Sequence, residues 1–261
     1  MVRTSTTASV TAAIWKLGAG MAVFFLPFQP AFAVSLEAHV EHTERLPAVE
    51  AAVRPGAVFD LNAVSEPSDN LWVRIPTWLA GTWQVSTETR VYQEDCRTGE
   101  TSDEHKDFAA KTRFVYGQQK DRLGDIWHYL GTPYSSSTDF PSFTEYHQVA
   151  SKECTETGVT EIAIKTKATV VRVSKASGKV SKTFQQESIT DYSQSSADEL
   201  RLEASTKVFD SAGNPTAIVK NEAIVTRAEP FVPIDHEGDK DYRELFKQYL
   251  ASHGRSYLFP E

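Results

Sequence analysis

Cysteine is almost absent from this chain, with 2 in 261 residues, too few for a fold held by a dense disulfide framework. Positive charge is short as well, 27 Lys and Arg against 35 Asp and Glu. That balance argues against a nucleic-acid partner, because phosphate binding needs a basic face to release counterions. Phosphate loops are missing, and so is any G-x-S-x-G nucleophile turn. The 7 histidines form no H-x-x-x-H pair and there is no Cys/His cluster, so neither a metal nor a cofactor is expected. Beyond the N-terminal region no apolar run approaches the length of a membrane span.

The N-terminal region reads as a leader. Arg3 and Lys16 are positive, Leu17 to Phe28 is a short apolar run broken by Pro27, and Ala31-Phe32-Ala33 is a small-x-small cleavage site. Residues 1–33 are therefore expected to direct export to the periplasm or beyond, with cleavage after Ala33. No cysteine follows that site, which argues against a lipid anchor. Loss of Arg3 and Lys16 takes the formal net charge from −8 to −10. In an oxidising compartment Cys96 and Cys154 are a candidate disulfide, worth about 4 kcal/mol on the chain-entropy model. Strand counting places the two at opposite ends of the domain, so the bond and the count conflict. Residues 34–74 are expected to form an extension or linker, with Leu36, Val40, Leu46 and Val49 in a faint helical period interrupted by Pro47.

Residues 75–261 are expected to form one β-domain with a C-terminal helix. Eight runs alternate with period two: 82–92, 107–116, 125–130, 144–150, 159–173, 180–192, 199–210 and 216–228. Segment 133–143, with Ser135, Ser136 and Ser137, reads as a loop. Lys175 to Lys179 and Asp210 to Pro215 read as turns. Asp241 to Ser252 places Tyr242, Leu245, Phe246, Tyr249 and Leu250 on one stripe, with Gly254 as a stop.

Three motifs stand in a telling order: Gly81-Thr82-Trp83 opening the first run, Thr190-Asp191-Tyr192 ending the sixth, and Arg227 ending the eighth. Together they resemble the lipocalins, over Trp78 to Ala228. The resemblance implies an antiparallel up-and-down eight-stranded barrel, closed at the Trp83 end, with the helix packed outside. It also implies structural roles for Gly81, Trp83, Thr190, Asp191, Tyr192 and Arg227, with Arg227 stacked over Trp83 and Asp191 holding a loop. An aromatic that usually follows T-D-Y is replaced here by Ser195. A ten-stranded calycin-like barrel and an open β-sandwich remain as alternatives.

If Trp83 points inward, parity gives its face Val85, Thr87, Thr89 and Val91. The corresponding faces elsewhere supply Thr112, Phe114, Tyr116, Trp127, Tyr129 and Gln186, and these with Thr87 and Thr89 are the expected ligand contacts. A mostly apolar cavity with few polar groups suits a small, largely apolar ligand bound without chemistry. The contrary readings are an isomerase- or cyclase-type enzyme using His128 or Tyr129 as acid or base, and an envelope accessory protein that binds another protein through Ser35 to Asn70. His128 and His147, on neighbouring runs, could meet. Glu145, Glu161 and Asp191 are acids that could converge in space. The sequence leaves the oligomeric state open.

Overall fold

The computed structural model describes residues 42–60 and 70–260. The expected leader, its expected cleavage site and part of the expected extension lie outside the described residues. The strands in chain order are β1 (Trp72–Ile75), β2 (Gly81–Asp95), β3 (Glu100–Ser102), β4 (Lys106–Tyr116), β5 (Gln119–Lys120), β6 (Ile126–Tyr129) and β7 (Tyr134–Asp139). There follow β8 (Phe143–Thr157), β9 (Glu161–Ser174), β10 (Val180–Gln194), β11 (Glu199–Phe209), β12 (Pro215–Pro230), β13 (His236–Glu237) and β14 (Lys240–Asp241), then the helix α1 (Tyr242–Ser252). The described residues are all-β with one C-terminal α-helix.

The main sheet runs β3-β2-β12-β11-β10-β9-β8-β7, with β4 also paired to β2, and every ladder is antiparallel. It is curled but not closed: among the described residues no ladder joins β4 to β7. The curl is visible in side chains. Tyr116 and Phe114 on β4 meet Tyr192 on β10 at ring distances of 5.2 and 6.2 Å, although three strands separate β4 from β10 in the sheet order. The ladder fails to close because the 126–129 segment pairs elsewhere, with β1 and β5 in a separate three-stranded sheet. That small sheet covers the gap. Val73, Ile75 and Ile126 add to the main core of Leu79, Trp83, Val85, Ile162, Ile164, Leu200, Leu202 and Val225. Its opposite face carries Trp72 and Trp127 against Phe246, Tyr249 and Leu250 of α1.

Segment 134–139, expected as a loop, is the edge strand β7, paired to β8. Its serine-rich composition carries little strand propensity, so pairing with the longer neighbour decides its conformation.

The helix begins and ends where the sequence places it. The Asp241 carboxylate accepts from the Glu244 amide at 2.9 Å, an N-cap. At the other end the amide of Arg255 donates to Leu250 and that of Gly254 to Ala251. This closing motif needs the left-handed φ of +68° that Gly254 adopts.

Residues 42–60 lie along the outer face of the main sheet. The amides of Leu46 and Val49 donate to Gly213 and Ser211, that of Gly56 to Val180, and Val58 bridges to Lys179. One buried carboxylate anchors this strap. Glu187, on the outward face of β10, accepts from the Thr43 amide and hydroxyl at 2.7 Å each, lies 3.2 Å from His42 Nδ1, and pairs with Lys165 and Lys167 at 3.2 and 3.4 Å. Burial alone would raise its pKa. The Thr43 donors and Lys165 outweigh that and hold it at about 2.

Cys96 and Cys154 are not joined, which corrects the candidate disulfide. Cys96 follows the far end of β2 and donates its amide to Thr216, while Cys154 faces Ile164 from β8. Four strands separate β2 from β8, and strands are spaced about 4.8 Å apart.

Candidate functional site

Directly opposed residues share a face, so the ladders define the concave side residue by residue. From Val225 the inward set runs through Leu200 on β11. From Ala223 it runs through Leu202, Tyr192 and Ile162, and from Asn221 through Ala204, Thr190, Ile164 and Cys154. The next levels are Val219, Thr206, Ser188, Thr166 and Lys152, then Val208, Gln186, Ala168, Val149 and Tyr134. The concave face is thus apolar at the Trp83 end and mixed beyond it, where Thr206, Ser188, Thr166, Lys152 and Gln186 stand among Val219, Val208, Ala168 and Val149.

At the Trp83 end, Arg227 lies over the Trp83 ring at 4.2 Å. Its guanidinium also donates to the carbonyls of Ala80 (2.5 Å), Trp78 (2.9 Å) and Ala197 (3.0 Å). Gly81 makes room, since a Cβ there would stand 2.7 Å from Arg227 Nη1. The Trp83 indole donates to the Leu79 carbonyl at 2.7 Å, and the ring is fully buried. Tyr192 belongs to the same core, Thr190 faces inward one level beyond, and Asp191 is on the outer face opposite Glu203.

Above this floor sits a cluster of ionisable groups. Glu88 is 4% exposed and its Oε1 has no hydrogen-bond partner among the described residues. Burial pushes its pKa to about 7. Tyr116 donates its hydroxyl to that of Tyr192, and desolvation raises both. His128 stacks edgewise on Tyr116 at 4.9 Å. The Gln118 Oε1 accepts from the Tyr129 amide at 2.8 Å and lies 2.9 Å from His128 Nδ1, which is also 3.4 Å from the Gly117 amide. The His128 Nε2 is buried and has no hydrogen-bond partner among the described residues. Burial and the nearby Lys152 hold this imidazole neutral. Lys152 keeps part of its solvent contact, but the protein atoms around it lower its pKa to about 8. Its ammonium lies 5.9 Å from the Tyr116 ring. Asn221 Oδ1, between Arg90 and Ala204, and Ser135 Oγ on β7 are the other buried side-chain atoms without a partner among the described residues.

Of the expected ligand contacts, Thr112, Phe114, Tyr116 and Gln186 face this interior. The others are corrected. A bulge between Val85 and Thr87 adds a residue to β2. Ser86 and Thr87 are consequently both exposed, Glu88 takes the inward position, and Thr89 points out to donate to Asp107 at 2.7 Å. Trp127 and Tyr129 face α1, and their strand neighbour His128 faces in. Sequence reasoning therefore missed Glu88 and Lys152 and placed His128 on the wrong side of its strand. An isolated acid in an otherwise alternating Val/Thr run was the available signal for Glu88.

His128 and His147 do not pair. His147 binds Glu145 at 2.9 Å, and Arg172 holds the other carboxylate oxygen at 2.7 Å. No group of three or more His, Cys, Asp or Glu side chains among the described residues is arranged to hold a metal. An outer cleft of about 410 Å³ lies between Arg74, Asp121, Trp127 and Arg255. Its acids are already engaged: Asp125 with Arg74 at 3.0 Å, and Asp121 with the Trp127 indole at 2.9 Å. No protein-family model and no curated protein matches this sequence, so the site is read from its own geometry.

Proposed function

We propose that this protein binds a small, largely apolar molecule with a polar end on the concave face of its curled sheet, without chemistry. One observation carries the reading: Glu88 Oε1, His128 Nε2 and Asn221 Oδ1, on the walls of one interior, are all buried without partners among the described residues. Buried polar atoms are nearly always paired, and each orphan costs roughly 1–3 kcal/mol. A group of orphans around aromatic rings is what a ligand's polar end would satisfy, while the half-buried Phe114 and Ala204, above the packed core, receive its apolar body. On this reading residues 1–33 direct export, and the molecule is carried in the periplasm or outside the cell. The main sheet is then an open relative of the lipocalin barrel, a likeness supported by Arg227 over Trp83 and by the helix packed outside.

Native mass spectrometry of protein purified from its own source tests this. The expected result is a co-purifying small molecule, lost when Ala204→Trp fills the concave wall. A folded wild type that carries and takes up nothing would overturn the reading.

A barrel-pocket enzyme of isomerase or cyclase type is the second reading. Glu88, poised near 7 beside Tyr192, favours it over His128 or Tyr129 as the acid–base group. Its mark would be a second, isomeric species bound to the wild type and missing from Glu88→Gln.

A further inference from the structure

We infer that the concave site selects an amphipathic anion, whose acid group docks on the ammonium of Lys152. The inference rests on the binding reading above and adds the charge of the ligand. A bulge between Val149 and Ser151 leaves Ala150 exposed and turns Lys152 inward, opposite Thr166. Every nearby cation on the outer or far parts of the same strands has an acid: Lys165 and Lys167 share Glu187, Arg172 holds Glu145, and Lys175 reaches Asp139. Lys152 has none within 4 Å among the described residues, in a protein with an excess of acids.

Its surroundings are the Tyr116 ring and the neutral His128. A charge withdrawn from water without a counterion is unfavourable. It is retained most simply where a ligand supplies the counterion. A cationic ligand would be repelled, and a neutral one would leave the ammonium unpaired. The hydroxyls of Ser188 and Thr206, bonded to each other at 2.9 Å on the same level of the face across Thr166, offer a further donor to an oxyanion. Phe114 and Ala204, half-buried above the packed floor, take the rest of the molecule, so acid and hydrocarbon are required together.

The test compares decanoate, decanol and decyltrimethylammonium by calorimetry at pH 7 on the wild type, Lys152→Met and Lys152→Arg, each checked for folding by thermal melt. Decanoate should bind the wild type about ten-fold or more tighter than decanol, the worth of one charge-assisted hydrogen bond. That preference should vanish in Lys152→Met and persist in part in Lys152→Arg. Equal binding of decanol and decanoate, or a preference untouched by Lys152→Met, overturns the anion inference and leaves the binding reading standing. Failure of all three probes to bind folded wild type overturns both.

Discussion

Two glutamates on the same sheet, both essentially out of water, behave in opposite ways. Glu187, on the outer face, is surrounded by two Thr43 donors, two lysines and His42. Glu88, on the inner face, has an oxygen with no partner among the described residues. Burial raises the pKa of each. Partners reverse the effect for Glu187, to about 2, and nothing does so for Glu88, which stands at about 7. Burial alone therefore says nothing about role. What distinguishes a structural carboxylate from one held for a ligand is whether the fold has completed its hydrogen bonds.

The largest effect expected from this contrast is at Glu187. Glu187→Ala strands Lys165, Lys167 and the strap donors, and should lower the unfolding free energy by about 3 kcal/mol, measured by denaturant titration. The segment 42–60 should then become sensitive to limited proteolysis. A loss below about 0.5 kcal/mol, the range of ordinary surface changes, would break the comparison.

The pH profile carries the next effect. The folded pKa of Glu187 is depressed below 4.5, so its contribution is present above pH 4.5 and is lost as pH falls toward 2. The folded pKa of Glu88 is raised, so its favourable contribution is present below pH 4.5 and is lost as pH rises through 7. Each amounts to about 3 kcal/mol at 1.36 kcal/mol per pH unit. From these two carboxyls alone, stability should peak near pH 4.5. Glu88→Gln should accordingly stabilise the protein by about 2 kcal/mol at pH 8 and change little at pH 4. An equal effect at both pH values would mean that Glu88 is not the group responsible.

Arg227→Ala should cost about 2 kcal/mol, through the cation–π contact and three carbonyls left without their donor. Arg227→Lys should not restore it, because an ammonium cannot stack and fork as a guanidinium does. Ligand affinity should barely move, since this end of the interior is packed floor. The smallest effect concerns the thiols: a reducing agent should leave the melting temperature unchanged, because Cys96 and Cys154 are not joined.

Much of the architecture was legible in alternation and caps. The strands around Glu199–Phe209 and Pro215–Pro230, the helix with its Asp241 cap and Gly254 stop, and the meeting of Arg227 with Trp83 follow from period, turn chemistry and motif order. The candidate site was less legible, for a definite reason. Simple parity carries a face along a strand only until a bulge adds a residue, and bulges in β2 and β8 decide that Glu88 and Lys152 face inward. In Ile126–Tyr129 both faces are buried, one against the main core and one against α1. Hydrophobicity therefore could not tell that His128, and neither Trp127 nor Tyr129, lines the interior.

The comparison is tested most directly by carbon-13 NMR titration of the two carboxyls in glutamate-labelled protein, assigned with Glu88→Gln and Glu187→Gln, with and without decanoate. Glu88 should titrate near 7 and shift when the ligand binds, while Glu187 titrates near 2 and does not respond. Two carboxyls titrating together in the ordinary range near 4.5, or a Glu88 resonance indifferent to bound ligand, would contradict the account.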